Sequence, residues 1–240
     1  MTDLTRLEQL LMQHLTPSRR PVAIAVRETP PTRVARFRGT LPSGCSFWKL
    51  ASEGRTFYTV PSDHYNCPVG SYTHNIPLPQ AREPELMQTI TLMAQIGYIR
   101  MEEVPAIPRL PATPGVVVYS PLSDAPVDPD TVIVAGRPGG LMLLHEAALR
   151  NGVQVSPMLG RPTCMAIPAT LTSSLVTSMG CVGNRIYTDL PDEEFYTAIA
   201  GKALAGIVEQ LETITSANAV LTNHHRTRKA QLTSTVTTAL

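Results

Sequence analysis

Leu4, Leu7, Leu10, Leu11 and Leu15 fall three or four positions apart behind Asp3, whose side chain can accept from the free amides of a first helical turn. That spacing predicts an amphipathic helix over 4–15, ended by Pro17. The apolar run at 22–26, bracketed by Pro21 and the Pro30 and Pro31 pair, is too short for a helix and suits a buried strand. A short helix over 45–52 leads to Gly54, and 57–60 has strand composition closed by Pro61. The polar stretch 62–74 carries Asp63, His64, Asn66, Cys67 and Gly70 and reads as the most chemically loaded loop. Helical spacing returns over 84–98 with Leu86, Ile90, Met93 and Ala94.

Beyond a proline-punctuated stretch, 116–119 and 131–135 read as strands. Gly136, Pro138, Gly139 and Gly140 lead into a helix over 141–150 capped by Gly152, and 153–155 is a further strand. A short strand is expected at Ile186 and Tyr187. From Glu193 to Arg226 one long helix is expected, with Leu204, Ile207, Val208, Leu211, Ile214 and Leu221 on a repeating face. The organisation follows: an N-terminal helix (1–20), a first α/β half (21–104), a connector (105–115), a second α/β half with the C-terminal helix (116–228), and a flexible tail (229–240).

The order of elements recurs. A strand, a short helix ending at a glycine, a β-prone stretch, then a cysteine and a proline occur twice, with Gly54 matching Gly152 and Cys67 matching Cys164; the intervals 54–67 and 152–164 differ by one residue. The fold class is therefore α/β or α+β, two similar strand-helix-strand halves around a central cleft, and such an internal repeat would face Cys67 and Cys164 onto that cleft. The same grammar also recurs in α/β proteins without duplication.

Composition narrows the partners. Aromatic residues are only 5% of the chain and the net charge is +1, which gives nucleic acid neither stacking platforms nor a basic footprint. No apolar run is long enough to cross a membrane, and the N-terminus reads as an amphipathic helix. A cytoplasmic setting with reduced thiols is expected, because Cys45, Cys67, Cys164 and Cys181 are spread far apart.

Those four cysteines are the candidates for chemistry. Gathered by the fold, they would suit zinc or an iron–sulfur cluster, although no Cys-x-x-Cys pair is present to aim two sulfurs at one ion. Cys67 stands out, with His64 three residues before it and His74 seven after; an imidazolium beside it would activate the thiol as a nucleophile. Gly139 and Gly140, between a strand and a helix, could hold an anion on backbone amides. Gly183, Asn184 and Arg185 form a second glycine-bearing turn, where Arg185 could clamp an anion or simply pair with Asp189 or Asp192.

At Gly44-Cys45-Ser46-Phe47-Trp48, at His64-Tyr65-Asn66-Cys67-Pro68-Val69-Gly70 and at Gly180-Cys181-Val182-Gly183-Asn184-Arg185 the chain resembles the domain-of-unknown-function 169 family. The resemblance runs from about Pro21 to His225. It implies a cytosolic archaeal or bacterial setting and marks these cysteine-bearing segments as the family's own, but brings no activity with it.

The leading expectation is a redox or metal-handling protein whose cysteines hold a metal, an iron–sulfur cluster or a small anionic ligand in a cleft between lobes. Two other readings stay open. One is a cysteine-dependent enzyme on a small acidic substrate, with Cys67 as nucleophile and His64 as base. The other is a non-catalytic homodimeric module in which the thiols only pack.

Overall fold

The structure, a computed structural model, describes residues 3–158 and 161–237. Seven strands form one sheet: β1 (Val22–Arg27), β2 (Phe57–Thr59), β3 (Val116–Pro121), β4 (Thr131–Gly136), β5 (Val155–Met158), β6 (Leu175–Ser178) and β7 (Phe195–Ala200), in the order β2-β3-β1-β4-β7-β6-β5. Every neighbouring pair is antiparallel except β5 and β6. The helices are α1 (Leu4–Leu15), α2 (Cys45–Ser52), α3 (Pro68–Thr73), α4 (Glu83–Gln95), α5 (Pro138–Arg150), α6 (Ala166–Ala169), α7 (Val182–Thr188), α8 (Gly201–Val208) and the long C-terminal α9 (Leu211–Thr237).

Alternation along the central strands builds a core on each face of the sheet. Val22, Ile24, Val117, Tyr119, Ile133, Tyr196 and Ala198 point to one face, where Phe47, Trp48 and Ala51 of α2 and the segment around α6 cover them. Ala23, Val132, Val134, Leu175 and Ile199 point to the other, beneath α1, α5, α8 and the start of α9. An aromatic cluster fills the first face: the Phe47 ring lies 5.2 Å from Phe37, 5.4 Å from Tyr119 and 6.0 Å from Phe57.

The fold is mixed α and β with a long C-terminal helix, and both halves share the sheet. β1 and β4, the strands that open the two copies of the expected repeat, are antiparallel neighbours at its middle, with Ala23 opposite Val132. Gly54 and Gly152 both take the left-handed conformation, φ 98° and 72°, that ends a helix most easily at glycine. The likeness stops at the helices. A twofold axis between antiparallel strands keeps each face of a sheet on its own side, whereas α2 and α5 lie on opposite faces.

Two sequence expectations are corrected. Ile186 and Tyr187 belong to helix α7, not to a strand. The segment from Glu193 opens not as a helix but as β7, because Tyr196, Ala198 and Ala200 alternate with Thr197 and Ile199 across two cores and the strand pairs with β4 and β6 on both sides. The helical face begins only at Gly201, and α8 and α9 share it. The polar 62–74 stretch also carries the short helix α3. Residues 238–240 of the tail lie outside the described residues.

Candidate functional site: four cysteines at one cavity

Each cysteine begins a helical segment. Cys45 is the first residue of α2 behind Gly44. Cys67 caps α3, whose first residue Pro68 has no amide to leave unpaired. Cys164 sits in a short 3-10 turn, Thr163–Met165, that runs into α6. Cys181 caps α7 after Gly180, where φ is 80°. All four line one cavity of about 750 Å³ on the α2 face of the sheet. Cys45 and Cys164 are buried and Cys67 and Cys181 half-buried, all as free thiols.

The thiols are mutually coupled. Ionising Cys45 is opposed by Cys164, Cys67 and Cys181, ionising Cys164 by Cys67 and Cys181, and ionising Cys67 by Cys181. Burial is the larger cause and pushes Cys45 well up and Cys67 and Cys164 up from the ordinary thiol range. At Cys67 two backbone amides pull the other way: Gly70 N–H donates to its Sγ at 3.3 Å, and Gly44 N–H is directed at the same sulfur. A sulfur so held is prepared to carry negative charge once a cation displaces its proton.

Behind the thiols lies a buried polar layer. The Thr59 hydroxyl donates to the Val117 carbonyl at 3.2 Å, so the 2.8 Å contact with His64 Nε2 has the imidazole as donor. His64 Nδ1 is then a bare lone pair without a partner. His74 Nδ1 lies 2.9 Å from the Gly70 carbonyl and donates to it, which leaves its Nε2 unpartnered as well. The two rings stand 5.5 Å apart. Burial drives the pKa of His64 well down, with the neighbouring His74 adding to it, and that of His74 down to about 4.

Asn184 borders the cavity and is 2% exposed. Its amide lies beside the Cys45 thiol and the Tyr196 hydroxyl, near enough to favour their ionised forms. Neither amide atom completes a hydrogen bond of ordinary geometry, and neither is open to the cavity.

The sequence-derived residues therefore divide. Cys45, Cys67, Cys164, Cys181, Gly183 and Asn184 line the cavity. His64 does not line it; its ring turns to Thr59 and Phe47, and it is joined to Cys67 through the backbone, the Cys67 amide donating to the His64 carbonyl at 3.0 Å, not through the imidazole. Arg185 spends its guanidinium on the carbonyls of Pro191, Met179 and Glu194, with Asp192 at 3.8 Å, and so fastens the turn after α7. Gly139 and Gly140 start α5 on the opposite face, where a Cβ on Gly140 would stand 2.4 Å from the Leu15 carbonyl oxygen: that glycine serves helix packing. Sequence reasoning missed the roof, formed by Leu86, Ile90 and Met93 of α4 with Glu103 and Arg161. The signal was the apolar spacing of 84–98, which reads equally as an ordinary core-facing helix.

Among the described residues, no three His, Cys, Asp or Glu side chains stand close enough to hold a single metal ion. No helix among them is long and apolar enough to cross a membrane.

A sheet closed on one face by cysteine-headed helices, with a cavity above the thiols, is the class of protein that fold and site define. By its sequence the chain belongs to the domain-of-unknown-function 169 family, described as "Uncharacterised ArCR", whose model matches residues 10–210. It is similar to "Uncharacterized protein MJ0308" of Methanocaldococcus jannaschii, 27% identical over 178 residues, which cover 70% of this chain and 75% of that protein. No solved structure matches the chain.

Proposed function

We propose that this protein carries an iron–sulfur cluster on Cys45, Cys67, Cys164 and Cys181 and serves as a cytoplasmic redox protein. The observation that supports this reading is that four thiols from four distant segments face one cavity and are electrostatically coupled. A multi-iron cluster, like tetrahedral zinc, takes four thiolates, and four line this cavity. Bound cations would hold the thiols deprotonated in spite of their burial. The cluster would supply one-electron transfer; the chain's part is to hold the sulfurs, donate the Gly44 and Gly70 amides to Cys67, and exclude water.

Cysteine nucleophile chemistry has less support. The Cys67 thiol is pushed up rather than activated, and His64 is engaged elsewhere.

The test is anaerobic reconstitution with ferrous iron and sulfide, followed by iron and sulfide analysis and visible absorbance. Stoichiometric uptake is expected, with loss in each of Cys45→Ser, Cys67→Ser, Cys164→Ser and Cys181→Ser while circular dichroism stays native. No uptake, or uptake indifferent to all four substitutions, contradicts the reading.

A further inference from the structure

The space over the thiols has a chemistry of its own. Its volume, about 750 Å³, falls within the range of small-molecule sites. The walls are apolar: Leu86, Ile90 and Met93 from α4 face Val182 and Tyr187 from α7, with Ile107 between them. The two charged residues on the lining, Glu103 and Arg161, bond to each other at 3.2 Å, and the Arg161 guanidinium lies 4.7 Å over the Tyr98 ring. The lining thus offers no unbalanced charge to an anion or a cation. At the mouth Ile96, Val182 and Tyr187 stay exposed. Asn184 borders the cavity, but its two amide atoms are shut off from it, beside Cys45 and Tyr196.

We infer that this cavity binds a neutral, largely apolar small molecule, which lies between α4 and α7 and reaches down to the cysteines. A charged ligand would lose its hydration against apolar walls whose two charges already pair with each other. An apolar body gains instead from burial against Leu, Ile and Met side chains. The site goes beyond the cluster reading and stands without it, since the cavity is formed by the chain alone.

The experiment uses the metal-free, reduced full chain and Nile red, an uncharged, largely apolar dye. Saturable, blue-shifted emission is expected, with about one dye per chain. Met93→Trp places a large ring in the cavity and should weaken binding by at least about tenfold. Leu149→Trp, on the exposed side of α5 across the sheet, should leave it unchanged. A second readout needs no substitution: saturating dye should slow iodoacetamide alkylation of Cys67 and Cys181 several-fold. Absence of saturable binding, equal binding by Met93→Trp, or alkylation indifferent to bound dye overturns the inference. Because no metal is present, failure here is separate from failure to take up iron and sulfide.

Discussion

Gly70→Ala separates the needs of the fold from those of the sulfur site. Gly70 lies within α3, its φ is not positive, and its amide donates to Cys67 Sγ at 3.3 Å. A methyl group there would stand 2.8 Å from that sulfur and 3.3 Å from Cys67 Cβ. A carbon cannot sit 2.8 Å from a sulfur, so one of them moves. The backbone is already helical, and alanine favours it by roughly 0.5–1 kcal/mol. The easiest displacement is rotation of the Cys67 side chain about its Cα–Cβ bond, which takes Sγ off its two amides and costs about 1 kcal/mol of hydrogen bonding. Gain and loss nearly cancel. Folding stability, read from the urea midpoint, should stay within about 1 kcal/mol of the parent, while iron and sulfide uptake collapses. If Gly70→Ala takes up iron and sulfide like the parent, Cys67 is not held by these amides as a ligand. A loss of several kcal/mol would instead show that the sulfur cannot rotate and that the glycine is a packing requirement.

Stability should also fall in mild acid. His64 and His74 are buried with lowered pKa, His74 to about 4, whereas in the unfolded chain both titrate near 6.5. Between those values the unfolded chain binds more protons, so stability declines as pH drops from about 6.5 to about 4, by roughly 3 kcal/mol for His74 alone, and is flat from this source above pH 7. Urea titrations across that window check it; a level profile refutes the burial argument, and His74→Gln should flatten the slope. The start of α5 gives a paired test by thermal melting. Gly140→Ala drives a Cβ to 2.4 Å from the Leu15 carbonyl oxygen and should cost about 1–3 kcal/mol. Its neighbour in Gly139→Ala meets nothing within 4 Å and should gain roughly 0.5–1 kcal/mol of helix propensity. Equal effects of the two would contradict the proposed contact between α1 and α5.

The sequence was most legible where one local pattern decided the structure. The leucine stripe of α1, the helix over 45–52 and the uninterrupted apolar runs of β1, β3 and β4 needed no knowledge of neighbours. β7 was hidden because its stretch from Phe195 to Ala200 runs straight into the apolar α8, and only pairing with β4 and β6 settles its period. α7 escaped because Ile186 and Tyr187 project outward, so no buried stripe marks it. At the site the residue types were readable and their companions were not. The thiols, Gly183 and Asn184 could be named in advance. The amides of Gly44 and Gly70 carry no side-chain signature, and the α4 roof looks like any amphipathic helix until the space beneath it is seen. The glycines at 139 and 140 misled because a close helix contact and an anion-binding turn require the same residue.

Iron K-edge X-ray absorption on anaerobically loaded protein tests most directly whether Cys45, Cys67, Cys164 and Cys181 hold one cluster. A first shell of sulfur alone, with a second shell of iron that disappears in the serine variants, is the expected spectrum. A first shell of nitrogen or oxygen, or sulfur with no iron neighbour, would contradict it.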